Sequence, residues 1–387
     1  TAPQNTHLDL QCPTMSVFAW EYPDIPNEEW DDKQANDWTY CLAQMGRAIT
    51  HSSFAVNATK QSMGKDFPIV SAPAPIWGNY NHQLEHRDNL TIDQSFNLKA
   101  NIFDSKFIDQ KLYSMPDHIV DFDNFISDRE IEISLSGVIY TSVFNPNDGR
   151  KNWEDMLTGF CYTFRNEVNA TLLLKLSYQD AEVAFNLIFS KMKLLMPFAC
   201  RIVLIQGYVD DESYLRLLNR TNYIVNTANG EGQCLPLMEY MSAGVPAIAP
   251  CHSAMLDYIN DENTFVIESS QEWTHWPHDP RHVNRTYRSN ISWQSLCEQF
   301  KRSFDVMIDE RDTYDSMSRA ASSSLFDYCS TESVEKALLE IFSATPYRPP
   351  ILQRLKLMSF EWLKAVIPLR LKLMIVGKNE AGTRYKI

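Results

Sequence analysis

The chain has 387 residues, of which 44% are hydrophobic and 22% charged, and its formal net charge is −14. One compact core rarely grows to this length, so two domains are expected. The composition excludes a largely disordered protein, and the acidic charge argues against a general nucleic-acid binder. The eight cysteines form no CxxC pair, which favours free thiols in a reducing, cytoplasmic compartment.

The first part of the chain predicts a small parallel α/β domain. Its segments alternate as strand, helix, strand, helix and strand at 15–19, 35–46, 48–51, 56–63 and 68–71. This alternation is typical of a parallel sheet with crossover helices. Residues 78–130 break the alternation because they are polar and aromatic, with Asn, Asp and His throughout, so we expect an irregular insertion or a domain-closing segment there. We therefore assign residues 1–130 to an N-terminal domain that is incomplete or interrupted.

The second part of the chain repeats the alternation more strongly. Its strands are predicted at 136–144, 170–176, 202–205, 223–226, 246–249 and 264–267. Its helices are predicted at 153–165, 181–194, 213–218, 235–243, 292–307, 310–322 and 332–342. This order predicts a second doubly wound, Rossmann-like domain over residues 131–344.

The segment 229–250, NGEGQCLPLMEYMSAGVPAIAP, holds the first candidate site. It follows a predicted strand and begins a helix, whose first backbone N–H groups have no partner within the helix. A helix start at the carboxyl end of a parallel strand is suited to bind a phosphate or another oxyanion. Glu231 precedes the helix and can reach a polyol, whereas Glu239 lies about two turns along it, where a carboxylate can accept both hydrogens of a ribose diol. The amides expected to face the ligand belong to Gly232, Gln233, Cys234 and Leu235.

A second candidate segment is 143–153, VFNPNDGRKNW, which joins a predicted strand to the next helix. Arg150 and Lys151 stand at the start of that helix, where a cation opposes the helix dipole. A bound ligand therefore explains this basic pair better than helix stability does. Two cations at such a place are suited to stabilise a leaving diphosphate.

Together the two segments resemble family 4 retaining glycosyltransferases, which have the GT-B fold and occur in bacterial surface-polysaccharide biosynthesis. Glu231 and Glu239 match the E-x7-E signature of that family, and Lys151 matches its diphosphate-binding lysine. The usual position of the family's arginine is taken by Asn145 or the next residue, and Arg150 would replace that charge. The resemblance implies that Glu231, Lys151 and Arg150 are catalytic, and that Asn145 and Glu239 bind the donor.

The same resemblance implies the other parts of an enzyme. Gly207 and Tyr208 follow a predicted strand where family members read the nucleotide base. Trp20 and Glu21 would lie on the acceptor side of a cleft between two Rossmann-like domains. The implied reaction is transfer of a sugar, with retention of configuration, from a nucleoside diphosphate sugar to a saccharide or lipid-linked saccharide. No cofactor and no metal are expected, and the histidine-rich segment 273–282 is interpreted as an exposed aromatic loop.

The C-terminal segment 345–387 differs from the rest of the chain, with nine Lys and Arg against two Asp and Glu. Basic and apolar residues alternate over 350–375, as in amphipathic segments that lie on an anionic membrane surface. One interpretation is docking to the inner face of the cell membrane or to a protein partner. The other is a terminal helix that packs on the first domain.

Two other functions stay open from the sequence. A non-catalytic GT-B-like module that binds a saccharide or scaffolds a complex would explain the missing arginine and the incomplete first domain. Another GT-B enzyme, such as a sugar-nucleotide epimerase, would share the fold but not this E-x7-E context. The sequence names neither the donor base and sugar nor the acceptor and linkage.

Overall fold

The computed structural model describes residues 2–84, 94–115, 121–122, 125–126 and 130–348. The basic segment 350–375 lies outside these residues. Among the helices that are described, none combines the length and the apolar character needed to cross a bilayer.

The first domain is built on three parallel strands in the order β1-β2-β3. Its elements are β1 (Ser16–Phe18), α1 (Trp38–Met45), β2 (Ala48–Thr50), α2 (Ser53–Met63), β3 (Ile69–Ser71) and α3 (Trp77–Tyr80). Local sequence sets the ends of α1, because Asp37 accepts the Thr39 N–H at 2.8 Å and Gly46 adopts the left-handed conformation. A largely aromatic core that includes Trp38 holds these elements together.

Residues 94–135 add three strands and a short helix. They are β4 (Gln94–Lys99), β5 (Asn101–Asp104), α4 (Gln110–Tyr113) and β6 (Glu130–Leu135), and β4 pairs with β6 in antiparallel fashion. Residues 94–104 therefore form two regular strands, so the expectation of irregular structure is wrong for them. Phe96 and Leu98 are buried while Ser95, Asn97 and Lys99 are exposed, which is the pattern of a half-buried strand. Polar residues in that pattern hid the strand from a search for apolar runs.

The second domain contains a seven-stranded sheet in the order β12-β11-β10-β7-β8-β9-β5. Its parallel strands are β7 (Val138–Phe144), β8 (Ala170–Leu176), β9 (Arg201–Gln206), β10 (Tyr223–Val225), β11 (Ala247–Pro250) and β12 (Thr264–Ile267). The helices between them are α5 (Trp153–Thr163), α6 (Ala181–Leu195), α7 (Asp211–Arg220) and α8 (Leu235–Ser242). The six parallel strands have the Rossmann order, which reverses between β7 and β10, and ligands bind at such a reversal.

The edge of this sheet is closed by β5, which runs antiparallel to β9. Asp104 and Arg201 fix the pairing with a buried ion pair, in which both Nε and Nη2 of the arginine donate to the carboxylate. By its hydrogen bonds, β5 therefore belongs to the second sheet, although the sequence analysis assigned it to the first domain. The remaining domain boundaries stay predictions.

After β12 the chain forms an antiparallel hairpin of β13 (Ser269–His275) and β14 (Arg285–Ile291). The expectation of an exposed loop over 273–282 is wrong for 273–275, which lie in β13, and for Trp276, which is only 4% exposed. The Trp276 ring packs against Trp20 and Trp38 of the first domain, with centroid distances of 5.6 and 6.4 Å. The hairpin therefore bridges the two domains.

Three helices follow the hairpin, namely α9 (Trp293–Asp309), α10 (Arg311–Cys329) and α11 (Thr331–Ser343). Helix α11 places Val334 and Ile341 in an apolar cluster with Ile49 of the first domain. Beyond it, the Tyr347 N–H donates to the Gly46 carbonyl at 2.8 Å. The end of the described chain thus packs on the first domain.

Candidate functional site

The reversal point of the second sheet holds two cations and a carboxylate in direct contact. The turn after β7 presents Lys151, whose Nζ donates to Glu231 Oε1 at 2.7 Å. Arg150 Nη1 donates to Glu231 Oε2 at 3.1 Å and to the Gly230 carbonyl at 2.5 Å. The structure therefore brings together the three residues predicted to be catalytic, although they come from loops 80 residues apart in the chain.

Glu231 is held as an ionised carboxylate inside the protein. Its side chain is buried, which by itself raises its pKa, but the Lys151 and Arg150 cations outweigh burial and lower the pKa below its usual value. The backbone is fixed as well, because the Glu231 N–H donates to Ser253 Oγ at 2.9 Å. A buried carboxylate in this state presents a fixed hydrogen-bond acceptor to any ligand in the crevice.

Arg150 is surrounded by carboxylates. Besides Glu231, its Nη2 contacts Asp148 Oδ2 at 3.2 Å, and its Nε lies 3.8 Å from Oε1 of Glu21 in the first domain. Lys151 differs, because one of its three hydrogens is used for Glu231 and no other described carboxylate lies within ion-pair distance. Lys151 is therefore the better placed of the two cations to accept a further anion.

The start of α8 lies beside this charge cluster. Cys234 takes a left-handed conformation with φ 66° and leads into the first turn, which Leu235 begins. Asn226 joins the two parts, since its Nδ2 donates to Glu231 Oε1 at 3.2 Å and contacts Cys234 Sγ at 3.1 Å. The carbonyl of Gln233 accepts the hydroxyl of Tyr258 at 3.0 Å.

Gly232 marks a close approach of the two domains. A Cβ atom at this position would lie 2.9 Å from the Cβ of Ala19 in the first domain. Only glycine fits without a shift of one of the loops. The loop between β10 and α8 is thus pressed against the loop that follows β1.

Glu239 lies on α8 away from the charge cluster. It accepts a hydrogen bond from the hydroxyl of Tyr214 on α7, and burial raises the pKa of the carboxyl. The predicted pair of carboxylates therefore occupies two separate places: Glu231 at the cations, and Glu239 beside a tyrosine. This separation is compatible with a ligand that has one anionic end and one polyol part.

Three predicted donor residues lie outside the charge cluster. Asn145 Oδ1 accepts the N–H of Asn147 and stabilises its own turn. Gly207 accepts a hydrogen bond from Lys175 Nζ at 2.7 Å, and Tyr208 is 85% exposed beside it. Gly207 and Tyr208 line a cavity of about 400 Å³ that does not include the charge cluster.

The two residues predicted on the acceptor side have different surroundings. Trp20 is buried in the aromatic core of the first domain, and its Nε1 donates to the Asp24 carbonyl at 2.6 Å, so it is a packing residue rather than an open contact surface. Glu21 lines the cleft between the domains, and burial raises the pKa of its carboxyl even though Arg150 lowers it.

Sequence reasoning missed the pair His252 and Ser253, which follows β11. Ser253 Oγ accepts the N–H of Glu231, so its own proton is available to His252 Nδ1 at 3.1 Å. Burial lowers the pKa of His252 to about 4, which makes the imidazole neutral at pH 7. No sequence signal points to this pair, because its role depends on the folded position of the Glu231 loop.

Two cavities open beside the cluster. One of about 350 Å³ is lined by Glu21, Asp148 and Arg150 together with His275 and His278 of the hairpin region, and by seven further residues. Another of about 240 Å³ lies along the hairpin and also reaches Glu21. The cleft is thus bounded by the first domain, the charge cluster and the hairpin.

Comparison with known proteins identifies the fold. No family model and no curated protein sequence matches the chain. A glycosyltransferase structure from Rickettsia africae ESF-5 is similar, with a TM-score of 0.52 and 13% identity over 86% of this chain and 71% of that one. The trehalose-6-phosphate synthase OtsA has a TM-score of 0.54 and 8% identity over 88% of this chain and 69% of that one. The chain spans 50% of the length of S. aureus TarM, at 12% identity and a TM-score of 0.49 over 85% of this chain.

The two similarities with TM-scores above 0.5, together with the strand order, confirm the predicted fold class. The chain is an α/β protein of the GT-B type, with parallel Rossmann-like sheets in two domains that face each other across a cleft. Within the described residues the first sheet has three strands, whereas the second has seven.

Proposed function

We propose that this chain is a glycosyltransferase that moves a sugar from a nucleoside diphosphate sugar to a saccharide acceptor. The observation that carries the proposal is the contact of Lys151 with Glu231 at the reversal point of the second sheet, beside the start of α8. A cation and a helix start favour a diphosphate, and a fixed carboxylate favours a sugar hydroxyl. These are the two chemical parts that adjoin in the donor.

The donor is proposed to lie along α8. Lys151 would bind the diphosphate with its remaining hydrogens, and Glu231 would accept a hydrogen bond from the transferred sugar. Glu239, next to the Tyr214 hydroxyl, would bind the ribose diol about two turns further along the helix. Gly207 and Tyr208 would contact the base only if the donor reaches the neighbouring cavity.

We propose retention of configuration without a covalent nucleophile or a metal. The acceptor oxygen forms a bond to the anomeric carbon on the face from which the diphosphate leaves, and the acceptor proton passes to the leaving phosphate. Lys151 stabilises the charge that develops on that phosphate, which is the main catalytic contribution of such a site. Arg150 acts mainly by keeping Glu231 and Glu21 in place, since three carboxylates surround it.

The membership of family 4 and a role in cell-surface polysaccharide synthesis are also proposals. They rest on the match of Glu231 and Glu239 to the E-x7-E signature, together with the GT-B fold. A lipid-linked acceptor and contact with the inner face of the membrane depend on segment 350–375, which lies outside the described residues.

A non-catalytic saccharide-binding module is the second candidate. Two observations favour it: the carboxylates around Arg150, which oppose entry of an anion, and the small first sheet. Such a module would bind a saccharide but would neither hydrolyse a nucleotide-sugar donor nor transfer a sugar from it.

The experiment is a screen of UDP-, GDP-, ADP- and dTDP-sugars for thermal stabilisation, followed by donor hydrolysis with the stabilising sugars. Binding to the folded state raises the melting temperature. We expect at least one donor to stabilise the chain and to be hydrolysed slowly without an acceptor. Lys151→Met should abolish hydrolysis, whereas the control Lys191→Met removes an exposed cation that pairs with Glu154 and should not change it. Stabilisation without hydrolysis in the wild type would favour the non-catalytic module.

A further inference from the structure

The hairpin of β13 and β14 forms a second wall of the cleft, and we propose that it binds the acceptor as an uncharged saccharide chain on its aromatic pair Trp273 and Tyr287. This inference rests on the proposed function, because it names the substrate class on the acceptor side of the same cleft. It is carried by the hairpin's attachment, its exposed aromatic surface and the side chains that connect it to Glu21.

The hairpin is fixed to the first domain at its tip. Trp276 is buried between Trp20 and Trp30 of the first domain, with ring centroids 5.6 and 5.7 Å away. Thr286 Oγ1 donates to Asp24 Oδ1 at 2.6 Å, which adds a polar contact to the first domain. A hairpin held in this way presents its other side chains at fixed positions relative to the cleft.

The tip loop is itself well ordered by one carboxylate. Asp279 is fully buried and accepts the backbone N–H groups of Arg281, Val283 and Asn284 at 2.8 to 3.0 Å. Burial raises the pKa of Asp279, but these hydrogen bonds and the one from the Arg281 side chain outweigh burial and lower the pKa below its usual range. The loop therefore needs no substrate to take its shape.

The exposed face of the hairpin carries two large aromatic rings. Trp273 and Tyr287 are directly opposite each other across the strands, and their ring centroids are 4.8 Å apart. Trp273 is 58% exposed and Tyr287 is 41% exposed, although such side chains normally bury most of their surface. The C–H face of a pyranose ring packs on an exposed aromatic face, and this contact suits a sugar better than a compact anion.

The polar side chains beside the pair match the hydroxyls of a sugar. Gln271 and Ser289 are opposite each other on the same face, and both line the 240 Å³ cavity together with Tyr287. The charged residues that line this cavity are Glu21 and Arg288, one of each sign. A wall with balanced charge favours a neutral polyol over a polyanion.

Tyr287 connects the aromatic pair with the proposed catalytic centre, because it lines the 240 Å³ cavity, and Trp273 is its cross-strand neighbour. Glu21, Asn229 and Arg288 line both the 240 Å³ cavity and the 350 Å³ cavity, and the second cavity also includes Arg150 and Gly230. A saccharide chain on the hairpin could therefore extend its end toward Glu21 and the Glu231 loop. The two rings would bind the acceptor away from its reacting hydroxyl. They would therefore determine which acceptor binds and would not affect the chemical step.

The test uses the full chain, a Trp273→Ala/Tyr287→Ala double variant and the control Tyr162→Ala. Tyr162 is a matched control because it is also an exposed aromatic residue in a ring pair, with Trp293, but neither ring of that pair lines a cavity of the cleft, whereas Tyr287 lines the 240 Å³ cavity. The probes are neutral hexasaccharides of glucose, galactose, mannose and N-acetylglucosamine, measured by saturation-transfer NMR, with acceptor-free hydrolysis of the stabilising donor as a second readout.

We expect the wild type and Tyr162→Ala to bind at least one hexasaccharide, and the double variant to lose about tenfold or more in affinity. Donor hydrolysis should be equal in all three proteins. Equal hexasaccharide affinity in the double variant, or no binding of any hexasaccharide to the wild type, would overturn the inference. If the double variant binds saccharide like the wild type but differs from it in oligomeric state by sedimentation, the aromatic face is a protein contact and the inference is also overturned. If the wild type hydrolyses no donor but its hexasaccharide binding depends on the aromatic pair, the proposed function alone would be refuted.

Discussion

Replacement of Trp276 by alanine tests how the hairpin connects the two domains. A buried tryptophan removes about 150–250 Å² from water, which at about 25 cal/mol per Å² gives roughly 4–6 kcal/mol as an upper estimate. The indole N–H of Trp276 has no partner among the described residues, so its removal returns about 1 kcal/mol. We therefore expect Trp276→Ala to lower the free energy of unfolding by about 3–5 kcal/mol, the usual range for such changes.

The matched control is Trp273→Ala, because this residue is of the same type, in the same hairpin, but 58% exposed. It should cost less than about 1 kcal/mol. Urea unfolding followed by circular dichroism at a helix wavelength measures both variants without relying on tryptophan fluorescence. Equal losses in the two variants would refute the conclusion that the hairpin is attached through the buried ring.

Three further predictions concern polar side chains that are buried or partly buried. The pKa of His252 is about 4 in the folded chain and its usual value is 6.5. Between these two pH values the unfolded chain binds a proton at His252 and the folded chain does not, so the stability that the neutral imidazole contributes is lost as pH falls from 6.5 toward 4. The loss should be about 3 kcal/mol. In His252→Gln, the urea midpoint should therefore fall less steeply between pH 6.5 and 4 than in the wild type, and an equally steep fall would contradict a buried neutral His252. Asp104→Asn leaves Arg201 buried without its carboxylate, so the free energy of unfolding measured in urea should fall by about 3–5 kcal/mol. A fall of less than about 1 kcal/mol, as for an exposed ion pair, would contradict a buried pair. Glu239→Gln should weaken the binding of ribonucleoside diphosphates about tenfold in calorimetric titration and leave the binding of 2′,3′-dideoxy analogues nearly unchanged, whereas equal losses for both would remove Glu239 from the ribose.

The second sheet could be predicted from sequence because its strands are buried on both faces. The segment 170–176 is almost entirely apolar, and its bounds agree with β8. Strands of this kind give continuous apolar runs. The loops at the carboxyl ends of neighbouring parallel strands lie next to each other. Lys151 and Glu231 could therefore be expected to meet, because they follow β7 and β10, which are adjacent in the sheet.

The hairpin could not be predicted in the same way. Its strands, SSQEWTH and RTYRSNI, are mostly exposed, and neither forms an apolar run. Its fixed position depends on Trp276 meeting rings of the first domain, a contact between residues more than two hundred positions apart. The same reason applies to Ser253, whose contact with Glu231 exists only once β11 lies beside β10.

Arg150 shows a further limit of pattern matching. Its position next to Lys151 suggested an equal role for the two cations. The folded chain instead surrounds Arg150 with Glu21, Asp148 and Glu231, because loops from both domains meet at its guanidinium. Residue type and spacing predicted a charge at this place but not its partners.

The most direct test of the donor site is the affinity of Lys151→Met for a nucleoside diphosphate and for the matching nucleoside, measured by calorimetric titration with the base that stabilises the wild type. If Lys151 binds the diphosphate, the variant should lose about tenfold or more in affinity for the diphosphate and keep its affinity for the nucleoside. Unchanged affinity for both ligands would contradict a sugar diphosphate at the contact between Lys151 and Glu231.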